Sequence, residues 1–217
     1  MIGGMGFWKL KEPASEIKED DITNKNNFVG NIVTILKADK PFLKFILIEN
    51  MTSFSLMILP FYMVFIKNSF SNYMNYLGVF VIVQVVGSIT SNFLWAFISR
   101  KFGSKSVVKL CIFMGATIPI IALLINSLGP IWYILVFLLL GFITSGRNIG
   151  FEPYLLDIAP NEKRTIYLGI RGSLNVLVVL LPLAGGIFIN ILGYYLTFGL
   201  VSLVMFLVFF SMNKNNI

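Results

Sequence analysis

Six stretches of the chain are almost wholly apolar, and short polar or helix-breaking segments separate them. A helix needs roughly 20 mostly apolar residues to cross a hydrocarbon core about 30 Å thick. The apolar positions do not alternate with a period of two, as they do in the strands of outer-membrane barrels. The pattern therefore predicts six membrane-spanning helices, which we number spans 1 to 6: residues 42–66, 73–99, 107–126, 130–150, 165–190 and 193–212.

The composition supports the same class of protein. Hydrophobic residues make up 57% of the 217 residues, charged residues only 12%, and the mean hydropathy is +0.84. Soluble domains carry about 25% charged residues, so a soluble enzyme or a nucleic-acid-binding module is excluded despite the net charge of +7. The chain has no histidine and one cysteine, which excludes histidine-based catalysis and the usual zinc sites. We predict an all-α polytopic membrane protein without enzymatic activity, metal or other cofactor.

A polar arm precedes span 1. Residues 1–41 contain six lysines and six acidic residues. Within the arm, Phe28, Ile32, Ile35 and Leu36 recur at helical spacing, which predicts an interfacial amphipathic helix over residues 27–38; a disordered linker is the alternative. The predicted organisation is a cytoplasmic arm (1–41), a six-helix transmembrane domain (42–212) and a cytoplasmic tail (213–217).

The basic residues indicate the orientation. Fourteen of the seventeen lysines and arginines fall in the arm, the start of span 1, the loops after spans 2 and 4, and the tail. In the connections on the opposite side, Lys67 is the only basic residue. Because positive charge is retained in the cytoplasm, we predict that both termini are cytoplasmic and that the chain lies in the cell membrane. The positive charge is then a topology signal, and anionic lipid headgroups are its expected contacts.

Polar side chains inside the spans concentrate in spans 1, 2, 4 and 5. Such residues are costly in a membrane and usually mark a pathway or a helix contact. On span 1, Glu49, Ser53, Leu56 and Pro60 share one face, and spans 2 and 5 carry similar faces. We therefore predict that these four spans share a water-accessible cavity, flanked by spans 3 and 6. The candidate pathway residues are Glu49, Asn50, Gln84, Asn92, Arg147, Asn148, Arg171 and Asn175.

Three intramembrane charges allow two interpretations. In the first, Glu49 is a proton or cation site, and Arg147 and Arg171 anchor an anionic substrate. In the second, the three side chains form an ion-pair cluster that closes the cytoplasmic end, with Arg147 reaching outward to the interface. The sequence leaves both open.

The loop between spans 2 and 3 resembles a known signature. Ala96, Arg100, Lys101, Gly103 and Lys105 occupy the positions of G-x-x-x-D-R-x-G-x-K/R, the cytoplasmic loop motif of the major facilitator superfamily. Residues 181–198 resemble the same family's hairpin between helices eleven and twelve, with a PLxGG run followed by G-aromatic-x-x-x-F. Residues 59–62 and 154–164 add weaker matches, so the resemblance covers all six spans.

The departures from the signature suggest which half of such a transporter the chain resembles. Ala96 replaces the glycine and Arg100 replaces the aspartate, so the charge relay of that loop cannot be carried over. Such erosion is typical of the second half of these proteins, and residues 2–13 look like the end of a sixth helix entering the central loop. The resemblance thus implies a C-terminal half with two inverted three-helix repeats. In such a half, the equivalents of spans 1, 2, 4 and 5 line the cavity.

The resemblance implies a secondary-transporter polypeptide that moves a small solute by alternating access, with a coupling proton or cation as the possible energy source. No phosphate-binding loop is present that would indicate ATP use. A single half cannot form a two-sided cleft, so it would need an N-terminal half or a second copy of itself. The alternative is a truncated, non-transporting remnant or an accessory membrane subunit.

Overall fold

The computed structural model describes residues 28–214, and all regular elements in that range are helical. Helix α1 covers Phe28–Ala38 and forms a unit separate from the bundle, which begins at Asp39. Residues 28–38 of the range predicted as a helix, 27–38, are helical, while the position of this helix at a membrane interface remains a prediction. The family-like segment at residues 2–13 and the end of the predicted tail lie outside the described residues.

Among the described residues, the bundle consists of eight further α-helices. Three short helices together form span 1, and one helix forms each of spans 2, 3 and 4. Two further helices follow them along the chain. Short 3-10 turns connect several of them. The bounds are α2 Lys40–Thr52, α3 Phe54–Met57, α4 Phe61–Ser69, α5 Leu77–Phe102, α6 Ser104–Leu124, α7 Tyr133–Ile158, α8 Arg164–Asn175 and α9 Leu181–Lys214.

The helical segments confirm the predicted all-α membrane fold. Among the residues that the structure describes, five helical segments are long and apolar enough to cross a bilayer, and the last of them, Asn161–Met212, contains 52 residues. At 1.5 Å per residue it would extend about 78 Å, more than twice the thickness of a hydrocarbon core. Gly193 interrupts it with a non-helical backbone (φ 77°, ψ 173°). This segment therefore contains both span 5 and span 6.

Glycines with similar backbone angles turn the chain at two equivalent places. Gly103 separates α5 from α6 with φ 82° and ψ 161°, close to the angles of Gly193. Positive φ combined with extended ψ is a region that essentially only glycine occupies. The first turn joins spans 2 and 3, and the second joins spans 5 and 6. A third glycine, Gly129, has φ 111° and ψ 168° between spans 3 and 4, so glycines of this kind form the turns between three pairs of consecutive spans.

Helix α7 packs closely against α5 and α6. A Cβ atom added to Gly141 would clash with the backbone oxygen of Gln84, so α5 and α7 approach with almost no space between their backbones. Near the other end of this contact, the Trp95 indole N–H donates to the Phe142 carbonyl at 2.9 Å. Trp95 also packs with Val107 of α6. The polar face predicted on span 2 thus meets span 4 in a helix–helix contact.

Candidate functional site

Span 1 is broken near its middle. The hydroxyls of Thr52 and Ser53 donate to the Glu49 carbonyl at 2.9 and 2.8 Å, and the Ser55 hydroxyl donates to the Thr52 carbonyl at 2.7 Å. Such bonds compete with the helical ladder and bend helices. Pro60, just before α4, has no N–H to donate. Three short helices therefore replace the continuous helix predicted over residues 42–66.

Span 5 is also interrupted. Helix α8 ends at Asn175, the 3-10 turn Val176–Leu180 follows, and α9 begins at Leu181. Pro182 cannot donate a hydrogen bond to the carbonyl four residues earlier, which removes one bond of the helical ladder at this interruption. The continuous helix predicted over 165–190 is thus corrected to two helices with a tighter turn between them.

A cavity of about 240 Å³ lies between these two breaks and α7. Spans 1, 4 and 5 each contribute three side chains, and in spans 1 and 5 these follow the i, i+4, i+7 spacing of a single helix face. In both spans the lining residues run from the helix into the irregular segment. The lining residues are Glu49, Ser53, Leu56, Arg147, Asn148, Phe151, Arg171, Asn175 and Val178.

A buried ion pair forms one wall of the cavity. The Arg171 Nε donates to both Glu49 carboxylate oxygens at 2.9 and 3.0 Å, and its Nη2 lies 2.8 Å from Oε1. The Glu49 side chain is 3% exposed and that of Arg171 is 17% exposed. A second carboxylate, Glu152, lies 3.7 Å from Arg171 Nη1 but is 58% exposed. The charge of Arg171 is therefore balanced mainly by Glu49.

Arg147 lies on the same cavity with different partners. Its Nη1 donates to the Thr52 hydroxyl at 3.2 Å and its Nη2 to the Ser53 hydroxyl at 3.1 Å. The guanidinium carbon lies 4.8 Å from the centre of the Phe151 ring, a cation–π distance. Among the described residues, no carboxylate oxygen lies within the 4 Å of a salt bridge to Arg147. Its partners are neutral, so its charge is not balanced by direct contact.

The structure brings five of the eight candidate pathway residues to this cavity: Glu49, Arg147, Asn148, Arg171 and Asn175. The other three lie elsewhere. The Asn50 amide donates to the Ile46 carbonyl at 2.9 Å, and Gln84 is half-buried beside Gly141. Asn92 is exposed and accepts a hydrogen bond from Ser145. Span 2 contributes no residue to the cavity, so the hollow expected between four spans is formed by three.

Two site features were not predicted from the sequence. Phe151, four residues after Arg147 on the same helix face, could have been found from that spacing. The second feature is a contact between the starts of α2 and α8. Asp39 Oδ1 accepts from the Phe42 backbone N–H at 3.0 Å, and Oδ2 accepts from the Tyr167 hydroxyl at 2.5 Å. The rings of Phe42 and Tyr167 stack with centroids 3.9 Å apart.

The signature loop lies apart from the cavity. Arg100 Nε donates to the Ala96 carbonyl at 3.3 Å, and the Lys101 ammonium lies 5.3 Å from the centre of the Phe102 ring. Gly103 forms the turn, and Lys105 lies in the first turn of α6. None of these residues lines the cavity.

Comparison with known proteins agrees with the fold. The family model of the Major Facilitator Superfamily matches residues 45–213. No curated protein and no solved structure matches the chain. The matched range runs from the first span to the end of the last and covers well over half of the sequence. This multi-pass membrane protein therefore belongs to the major facilitator superfamily, a family of transporters.

Proposed function

We propose that this chain is the C-terminal half of a secondary transporter, which moves a small solute across the cell membrane by alternating access. The observation that carries the proposal is the cavity between the breaks of spans 1 and 5, with the Glu49–Arg171 pair in its wall. Transporter sites are typically formed where membrane helices are discontinuous. The polar side chains of the cavity would give the solute hydrogen-bonding partners inside the membrane, where the lipid tails offer none.

The charges support a functional cavity. An ionisable side chain at the centre of a membrane helix costs about 2.5–3.5 kcal/mol on insertion scales, and this cavity contains Glu49, Arg147 and Arg171. A bundle held together by packing alone needs no such groups. Glu49 is the group suited to carry a coupling proton, because its protonation would release Arg171 from the ion pair. Asn148 and Asn175 are the uncharged hydrogen-bonding groups of the same pathway.

The proposed transporter needs a partner, either an N-terminal half or a second copy of this chain. Within the most apolar window of Tyr73–Phe102, 17% of the residues are buried, against 50% in Ser104–Ser127 and Pro130–Ile158. Span 2 therefore has faces that only lipid or another chain can cover. Because six spans return the chain to its starting side, two copies would insert in parallel, as the halves of such transporters do. Both termini are proposed to be cytoplasmic.

Alternating access can be tested with thiol reagents because the chain has a single cysteine, Cys111, which is 3% exposed. The variant Asn175→Cys places a thiol in the cavity, and Val179→Cys places one on a side chain that is 75% exposed outside it. Oriented membrane vesicles are treated from either side with an impermeant methanethiosulfonate reagent. We expect Asn175→Cys to react from both sides, with a ratio that shifts when a pH gradient is applied. The lipid-facing Val179→Cys should react slowly and without that shift.

Reaction of Asn175→Cys from one side only, whatever the gradient, would refute alternating access and favour the alternative, a non-transporting remnant or accessory subunit. The partner is tested separately by crosslinking in membranes and by mass measurement in gentle detergent. Crosslinked pairs of this chain are expected for a self-dimer. Monomers in both measurements would refute the self-dimer and favour a separate N-terminal half.

A further inference from the structure

We infer that the solute is a small organic anion, whose carboxylate binds Arg147 while its hydrocarbon part lies against Leu56 and Val178. This inference rests on the proposed transport function and adds a substrate class to it. It follows from the charges that remain in the cavity, from the donors that Arg147 has left, and from the apolar part of the wall.

The lining carries a net positive charge. Its charged residues are Glu49, Arg147 and Arg171, and the first is engaged by Arg171 through both carboxylate oxygens. A cationic solute would have to compete with Arg171 for Glu49 and would be repelled by Arg147. An anion meets no such competition, because Arg147 contacts hydroxyls rather than a carboxylate. The charge pattern therefore favours an anion.

Arg147 has hydrogen-bonding capacity left for a ligand. A guanidinium has five N–H donors, and a carboxylate can accept two of them side by side. Two donors of Arg147 are directed to Thr52 and Ser53, which position the group on the cavity wall. Neutral hydroxyls hold an arginine in place without cancelling its charge. This arrangement suits an arginine that binds an anion reversibly.

The size and the remaining wall restrict the anion. A volume of about 240 Å³ lies below the ~300 Å³ at which drug-sized pockets begin, so the cavity suits a small solute. The half-buried Leu56 and Val178 supply apolar surface from spans 1 and 5, beside the almost fully buried ring of Phe151. Inorganic phosphate would leave that surface facing water. A short carboxylate fills it with hydrocarbon and places its charge on the guanidinium.

The test measures thermal unfolding of the purified full chain in detergent at fixed ionic strength. The probes are sodium butyrate, sodium phosphate, choline chloride and glucose. A ligand that binds only the folded state raises the unfolding temperature, so we expect butyrate to raise it more than phosphate, and choline and glucose to leave it unchanged. Arg147→Gln should raise at least tenfold the butyrate concentration that is needed for a given rise in the unfolding temperature, and Arg147→Lys should retain part of the butyrate effect. The matched control is Arg164→Gln, which removes an exposed arginine outside the cavity.

A second measurement leaves Arg147 unchanged, in case its variants do not fold. The thiol of Asn175→Cys is treated with a negatively charged sulfonatoethyl and a positively charged trimethylammonium-ethyl methanethiosulfonate. When each rate is divided by the rate of the same reagent with a free thiol, the anionic reagent should react several-fold faster in the cavity than the cationic one. Butyrate should slow the reaction of the anionic reagent. Faster reaction of the cationic reagent, or an equal butyrate effect in wild type and Arg147→Gln, would overturn the inference. If Asn175→Cys still reacts from both sides, the transport proposal survives that result.

Discussion

Neutralising Glu49 should destabilise the bundle strongly. At 2.8 Å and an effective dielectric constant of 20, the attraction between Glu49 and Arg171 is about 6 kcal/mol before desolvation is subtracted. Removing one partner of a buried pair typically costs about 3–5 kcal/mol, because the other charge is left uncompensated. Glu152 remains 3.7 Å from Arg171 and compensates part of that charge. We therefore expect Glu49→Gln to cost about 3 kcal/mol.

A double-mutant cycle separates the pair from its surroundings. Glu49→Gln, Arg171→Gln and the combined variant are unfolded by SDS titration in mixed micelles, and their free energies of unfolding are compared. The combined variant should be at least about 2 kcal/mol more stable than the sum of the single effects predicts, since neither charge is then left alone. Glu152→Gln is the matched control and should change stability by less than about 1 kcal/mol, as exposed pairs do. Additive single effects would refute the ion pair as a coupled unit.

Three further variants test the turns and contacts around the site, with stability measured by the same titration. Gly193→Ala should lower the stability by about 1–3 kcal/mol because alanine rarely adopts the backbone angles of Gly193. The control Gly199→Ala, whose added Cβ meets no atom within 4 Å, should be neutral or stabilising. Equal effects of the two substitutions would contradict the argument from φ. Tyr167→Phe should cost about 1.5–3 kcal/mol through the lost hydrogen bond to the Asp39 carboxylate, and an unchanged stability would show that the contact between α2 and α8 contributes nothing. Gly141→Ala should lower the stability by about 1–3 kcal/mol or more, because the added methyl group would push α5 away from α7. If this variant were as stable as the wild type, the two backbones would not be as close as described.

The sequence was sufficient to predict the spans and much of the cavity. Long apolar stretches have few alternatives in a membrane, because every backbone polar group must be satisfied within a helix. The spacing of Glu49, Ser53 and Leu56 on span 1, and of Arg171, Asn175 and Val178 on span 5, placed each set on one helix face. Those faces do line one cavity.

The partners of each polar residue could not be predicted in the same way. The face of span 2 has the same spacing as the faces of spans 1 and 5, yet Gln84 packs beside Gly141 and Asn92 bonds to Ser145. What separates the two outcomes is the neighbouring helix. A glycine on α7 lets the backbones of α5 and α7 meet and leaves no cavity, whereas the larger side chains of Arg147 and Phe151 on the same helix line the cavity beside spans 1 and 5. That information is carried by a different segment of the chain, and periodicity within one helix does not contain it.

The break in span 1 and the position of Arg147 have a common cause. Thr52 and Ser53 use their hydroxyl hydrogens to bond the Glu49 carbonyl, and this competes with the helical ladder. Their oxygen lone pairs remain available, and these accept the two hydrogen bonds from Arg147. The hydroxyls that disturb the helix are thus the ones that hold the cation on the cavity wall. A movement that straightened span 1 would withdraw those acceptors, so the conformation of this segment and the presentation of Arg147 to the cavity are linked.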